Sequence, residues 1–274
     1  MYKTIIVHVD DSAALDVRLR AAAWLANAHD AHLVGAAATG MSWPAYAMLT
    51  GAVTGAAGDE FDSLRALGRQ SLERFAERAG QLGVRSIEQR LVEDENRDAL
   101  LLQSRYADLL VVAQDDGAPA TVRGLPQYLA LRGPRPVLVV PSSYEGDPIA
   151  PSVIVGWDGS AAALRAISAA MPLLARARVV RLAVINPERE GDMHGEEPGA
   201  DMALYLARHG VPVEVVVEHT DTPAGDGLLR LANIHGAGLL VTGAFGHSRY
   251  REIVLGGVTR ILLERARLPL LLAH

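Results

Sequence analysis

The stretch TGAFGHSRYREIVLGGVT, residues 242–259, holds the side chains and spacings best suited to chemistry. Gly243, Gly246, Gly256 and Gly257 bracket a basic segment that runs into Val258 and Thr259. Glycine lets a ligand approach bare main chain, and free N–H groups at a helix start favour an anion. If Gly256 and Gly257 open the helix VTRILLERA, the amides there and the Thr259 hydroxyl would grip phosphates without a lysine. Lys3 is the only lysine in the chain, which excludes a Walker-type loop. Asp158, after the apolar run SVIVGW, could accept a hydrogen bond from a base amino group or a ribose hydroxyl. A plainer reading stands beside it: Asp158 and Ser160 cap the next helix, and the paired glycines only permit a turn.

For these groups to meet, Asp158 and Gly243 must stand at the carboxyl ends of neighbouring parallel strands, where ligands bind in open sheets. The chain supplies such strands twice. TIIVHVDDSAALDVRLRAAAWLANA from Thr4 matches SVIVGWDGSAAALRAISAAMPLLARA from Ser152 at a constant offset of 148, pairing Asp10 with Asp158 and Ser12 with Ser160. ADLLVVA (107–113) matches AGLLVTG (237–243), and RPVLVVP (135–141) matches LPLLLAH (268–274). Shared order and spacing indicate a tandem duplication, with domains at 1–144 and 150–274. The Ser-, Gly- and Pro-containing stretch 142–152 joins them.

Apolar runs at 3–9, 32–37, 86–92, 109–113 and 137–140 read as strands of the first half. Those at 153–157, 179–184, 213–217, 239–242 and 268–272 read as strands of the second. Their Val, Ile and Leu content suits strands buried on both faces. Between them, Phe61, Leu64, Leu67, Leu72, Phe75, Ala79 and Leu82 mark one helical face, and Leu164, Ile167, Met171 and Leu174 another. The expected fold is α/β, with two open, five-stranded, mainly parallel sheets wrapped by helices.

Composition narrows the function. Among 274 residues, 26 Lys and Arg stand against 32 Asp and Glu, a net charge of −6 that disfavours nucleic acid and anionic membrane as partners. No apolar run approaches the ~20 residues of a membrane helix, and Asp10 and Asp11 interrupt the first apolar run, so it is not read as a signal peptide. Cysteine is absent, which removes disulfides and thiolate chemistry and agrees with a cytoplasmic location. Residues 40–60 are apolar but broken by Gly and Pro, as an irregular insertion or partner surface would be. Residues 186–201 are acidic and Gly-rich, in the manner of a solvated loop.

At these residues the chain resembles the universal stress protein family, as two tandem copies and most strongly in the second half. VIVGWDGSAAALRA is similar to the family's first strand and aspartate turn. TGAFGHSRYREIVLGGVT is similar to its nucleotide signature, Gly-x-x-Gly, nine residues, then Gly-Ser or Gly-Thr; residues 247–255 supply the nine. The resemblance implies ATP or AMP as ligand, with magnesium accompanying the nucleotide. Asp158 and the Val184 backbone would hold adenine. Gly243 and Gly246 would line the ribose and phosphate wall, and Gly256, Gly257, Val258 and Thr259 would bind phosphate. Gly257 departs from the family's Ser or Thr; a lost hydroxyl bond to a charged phosphate costs on the order of 1.5–3 kcal/mol. In the first half Asp10 persists, but Ala113 and Asp116 replace Gly243 and Gly246, and Pro126 stands near the place of Thr259. That half reads as a degenerate, structural copy. Its closing strand and that of the second half would be aggregation-prone as free edges, so they are expected to pair as an intramolecular pseudo-dimer, with homodimerisation also open.

The expected function is therefore adenine-nucleotide binding in a stress response, with ligand state altering contacts to a protein partner. The alternative is a nucleotide-free interaction module. Enzyme chemistry beyond slow ATP hydrolysis is not expected: no G-x-S-x-G turn is present, and His247 is only the nearest candidate base. No metal site is assigned, since His29 and His32 span a helix end and a strand start, and His194 has only Glu196 or Glu197 beside it in sequence.

Overall fold

The computed structural model describes residues 1–50, 56–115, 123–145, 152–189, 196–245 and 257–274. Two compact units divide the chain, Met1–Arg135 and Pro136–His274. In the first, β1 (Thr4–His8), β2 (His32–Ala38), β3 (Ile87–Val92) and β4 (Leu109–Ala113) are parallel, in the order β3-β2-β1-β4. Around them run α1 (Leu15–His29), α2 (Trp43–Thr50), α3 (Ala56–Gln81), α4 (Asn96–Ser104) and α5 (Leu125–Arg132). The central strand is buried nearly end to end, as its sequence TIIVH requires: Ile5, Ile6 and Val7 have no exposed surface.

The second unit begins with β5 (Val137–Val140), followed by β6 (Ser152–Gly156), β7 (Val179–Ile185), β8 (Val213–Glu218), β9 (Leu239–Gly243) and β10 (Leu270–Ala273). Its order is β5-β10-β9-β6-β7-β8. Four helices accompany these strands: α6 (Ala161–Leu174), α7 (Ala200–Arg208), α8 (Ala224–Ile234) and α9 (Gly257–Arg265). All pairs are parallel except β5 with β10, where Leu138 lies opposite Leu271. The two closing strands thus pair within one chain, and β5 groups with the second unit. An antiparallel partner gives β10 a hydrogen-bonded neighbour on each side, which removes the free apolar edge.

The helices show which periodicities carried packing information. On α3, Phe61, Leu72, Phe75 and Ala79 are buried, whereas Leu67 is 61% exposed. On α6, Ile167 and Leu174 are buried but Leu164 is exposed; the face toward β9 and β10 is made largely of Ala162, Ala163, Ala166 and Ala170. Small residues let a helix lie close to a sheet, and that rotates the buried face away from Leu164. No helix among the described residues is long and apolar enough to cross a membrane.

The tightest helix–sheet contact in the first unit is at Gly35 of β2, where a Cβ would sit 2.5 Å from Phe75 Cδ1. Phe75 has no exposed surface. Gly35→Ala should therefore destabilise the protein by about 1–3 kcal/mol, the usual range for overpacking a core. A lowered urea midpoint with an unchanged slope would establish this, and an unchanged midpoint would show that Phe75 swings aside.

Candidate functional site

In the second unit, β6 and β9 are neighbours, with Val155 opposite Val241. From β6 the chain proceeds outward to β7 and β8, and from β9 it proceeds the other way to β10. Their carboxyl ends therefore flank a switch point, the place where ligands enter open parallel sheets. A crevice of about 140 Å3 opens there. Asp158, Gly243, Gly257, Val258 and Thr259 line it, against an apolar wall of Trp157, Ile185, Leu228 and Phe245. Val184 is fully buried and does not line the crevice; its strand neighbours Ala183 and Ile185 do. Gly246 and Gly256 lie outside the described residues, as do His247, Ser248, Asp116 and His194.

Local structure explains how each group is held. Asp158 Oδ1 accepts the Ser160 N–H at 3.0 Å, and Ser160 Oγ accepts the Ala163 N–H at 3.1 Å as the N-cap of α6. Capping and crevice lining thus coexist in one turn. Gly243 is glycine for packing: a Cβ would sit 2.5 Å from Ala163 N, where α6 begins. At Gly257 nothing among the described residues lies within 4 Å of a built Cβ. Thr259 is 2% exposed, and its Oγ1 accepts the Phe245 N–H at 3.2 Å. The hydroxyl keeps its own hydrogen to donate.

That bond pins Phe245, which adopts φ 63°, a left-handed conformation uncommon for a residue with a side chain. Ala244 is fixed on both sides, donating its N–H to Ala273 O at 2.8 Å and accepting from His274 Nδ1 at 2.8 Å. The strand end and the helix start are thereby locked together where they meet the crevice. On its outer side α8 and α9 close up: a Cβ on Gly225 would be 3.0 Å from Ile261 Cβ, and Arg265 pairs with Asp226 at 2.8 Å. Sequence reading missed Trp157, Thr242 and Phe245 as lining residues. Gly156, a glycine inside a buried strand, was the available signal, since it marks close approach. A Cβ there would meet Leu228 Cδ1 at 3.1 Å and Thr242 Oγ1 at 3.2 Å.

The corresponding places in the first unit are occupied by its own side chains. The constant offset puts His8 where the second unit has Gly156. His8 is 2% exposed and bonds through Nε2 to Oδ1 of Asn96, the first residue of α4, at 3.2 Å. Asp10 is claimed internally: its Oδ1 accepts from Arg18 at 2.7 Å and from the Ser12 hydroxyl at 2.7 Å. Burial opposes the Asp10 charge, but Arg18 and then His8 outweigh it and hold the carboxyl below its ordinary range. At the start of α5, Gly124 N–H donates to Asp115 Oδ2 at 2.8 Å, so a carboxylate already sits at that helix end.

The remaining histidine pair separates into two roles. His29 is buried with its ring 4.9 Å from that of Tyr2, whereas His32 bridges Ser86 Oγ and Glu88 Oε2 at 2.7 and 3.0 Å. Among the described residues no group of three or more His, Asp or Glu is placed to hold a metal.

Comparison with known proteins places these features. The model of the universal stress protein family matches residues 151–274. A universal stress protein of Synechocystis sp. is 27% identical over 140 residues, which cover 50% of this chain and 46% of that protein. The chain thus spans about half the length of the curated relative it matches. The crystal structure of a universal stress protein from Archaeoglobus fulgidus DSM 4304 is 13% identical and covers 98% of this chain and 95% of its own, at a TM-score of 0.73. The two share a fold over nearly their whole lengths. A universal stress protein solved in complex with cAMP is 28% identical over 51% of this chain and 97% of its own, at a TM-score of 0.40.

The buried His8 makes the first unit sensitive to acid. Burial, with Arg18 beside it, lowers the His8 pKa from 6.5 to about 4. Between those values the unfolded chain binds a proton that the folded chain refuses. Stability should be fully kept above pH 6.5 and fall as pH drops toward 4, by up to about 3 kcal/mol. Asp10, whose pKa is depressed, adds a further loss only at lower pH. Urea midpoints measured across this window should slope for the wild type and flatten for His8→Gln; equal slopes would assign the acid sensitivity elsewhere.

Proposed function

Because the universal stress protein family model matches residues 151–274, we propose that the second unit binds an adenine nucleotide, ATP or AMP, in the crevice between β6 and β9. The observation that carries this reading is the meeting of Asp158 with the first turn of α9 at one switch point. An acceptor for a base or ribose thereby faces a helix start whose N–H groups suit phosphate. The apolar wall of Trp157, Ile185, Leu228 and Phe245 suits a planar base. Ribose and phosphates would extend past Gly243 toward Gly257, Val258 and the Thr259 hydroxyl, with Gly246 and Gly256 completing the cradle. Magnesium would come with the nucleotide's phosphates, because no carboxylate cluster among the described residues is built for it. Nucleotide occupancy would then set how this surface meets a protein partner during stress.

The first unit is assigned no nucleotide. His8 fills the space that Gly156 leaves, Arg18 takes Oδ1 of Asp10, and Asp115 answers the helix start with a negative charge. One observation favours a second reading for the whole protein, a nucleotide-free interaction module: the exposed Gly257 offers no hydroxyl at the phosphate position.

Both readings meet the same experiment. Denaturing the purified protein and separating the released small molecules should yield adenine nucleotide, and calorimetry should give heat with ATP. No described residue lies within 4 Å of a Cβ at Gly257, and Gly257→Ser should tighten ATP binding roughly tenfold to a hundredfold. Asp158→Ala should weaken it by about tenfold. Neither released nucleotide nor heat at millimolar ATP, in the wild type and in Gly257→Ser alike, would leave the nucleotide-free module as the function.

A further inference from the structure

The first unit has an opening of a different kind. It encloses about 350 Å3 beyond the carboxyl ends of β1 and β2 and is bordered by α3. That helix also differs in length between the units. α3 has 26 residues, whereas α7, which stands at the same place in the second unit's element order, has nine. The longer helix brings Leu64, Leu67, Ser71 and Arg74 to the strand ends. Carboxyl ends of parallel strands are where open sheets take ligands, and this opening does not require the space that His8 fills.

Its walls carry both signs of charge. After β1 come Asp10 and the exposed Asp11. Asp10 is held rigidly through Oδ1 by Ser12 and Arg18, while its Oδ2 lies 3.7 Å from His8 Nδ1, beyond a hydrogen bond. On α3, Arg74 donates to Ser71 Oγ at 3.0 Å, and no carboxylate pairs with it among the described residues. An apolar strip completes the lining: Leu67 is 61% exposed there, with Leu64 and Val9 alongside. A simple anion would meet the two aspartates, and a simple cation would leave Arg74 unanswered. A molecule with both charges and an apolar group satisfies all three features at once.

We propose that this opening binds a free α-amino acid with an apolar side chain. Its ammonium pairs with Asp10 Oδ2 and Asp11, its carboxylate with the Arg74 guanidinium, and its side chain covers Leu64 and Leu67. Arginine suits the carboxylate because its planar fork makes two parallel bonds. The site is separate from the nucleotide crevice and does not depend on that crevice being occupied.

Titration calorimetry on the full chain tests this with L-leucine and L-phenylalanine as probes. Both should give saturable heat at millimolar concentration or below. Leucinamide, which lacks the carboxylate, and isocaproate, which lacks the ammonium, should each bind at least about tenfold more weakly than leucine. Arg74→Gln should lose about tenfold for leucine and nothing for leucinamide. Arg74 is exposed, so the variant should fold, and circular dichroism checks that it does. Absence of heat with both amino acids would overturn the proposal. So would equal binding of leucine and leucinamide, an Arg74→Gln variant indistinguishable from the wild type, or displacement of leucine by ATP.

Discussion

Two parallel strands whose chain connections leave in opposite directions cannot be covered by a single helix, so a gap forms past their carboxyl ends. In this protein β6 and β9 meet that condition in the second unit, and β1 and β4 are the equivalent neighbours in the first. The gap is bounded by strand ends and helix starts, both of which present backbone groups that need partners. Its contents must therefore be polar at the rim and apolar inside, whether they come from a ligand or from the chain. Most of the informative residues in the sequence are answers to that one requirement.

The two units answer it with different side chains on the same strand order. In the second, Gly156 keeps bulk out of the gap, Gly243 lets the start of α6 lie close, and Ser160, Thr259 and His274 tie its edges. In the first, an imidazole, a guanidinium and a carboxylate fill the equivalent places. That filling has a cost. Arg18 is 1% exposed, and among the described residues its Nε and Nη1 find no acceptor. Unmet donors of this kind cost about 1–3 kcal/mol each. The ion pair with Asp10 offsets part of it, since a buried guanidinium without a carboxylate would be far less tolerable.

Much of the scaffold was legible because burial on both faces favours Val, Ile and Leu runs, and all ten runs became strands, although β3 and β8 contain no buried residue. The tandem match of Asp10 and Asp158 likewise survives as two turns of the same kind after β1 and β6. Legibility failed where small residues or distant partners decide the outcome. The alanine face of α6 carries little hydrophobic signal, so Leu164 was placed inward although it faces solvent. Thr259 was read as a donor to a ligand, and nothing in the sequence showed that its Oγ1 also accepts from Phe245, fourteen residues earlier. His8 gave no sign of its role, because a histidine ending a strand becomes meaningful only when Asn96 and Asp10 are brought around it.

The comparison between units also bears on how a binding fold loses or changes its ligand. Nothing in the first unit's parallel pairing is impaired: β1 keeps full register with β2 and with β4. What differs is the volume and charge of a few side chains and the length of one helix. Glycine to histidine at the strand end closes one face of the aspartate turn, and a helix of 26 residues in place of nine builds a wall on another. Because those changes sit at the strand ends, they leave the strand pairing intact, and their cost is borne by buried polar groups such as Arg18. A duplicated sheet of this kind can therefore keep one crevice open, fill its counterpart, and form a chemically distinct opening beside it.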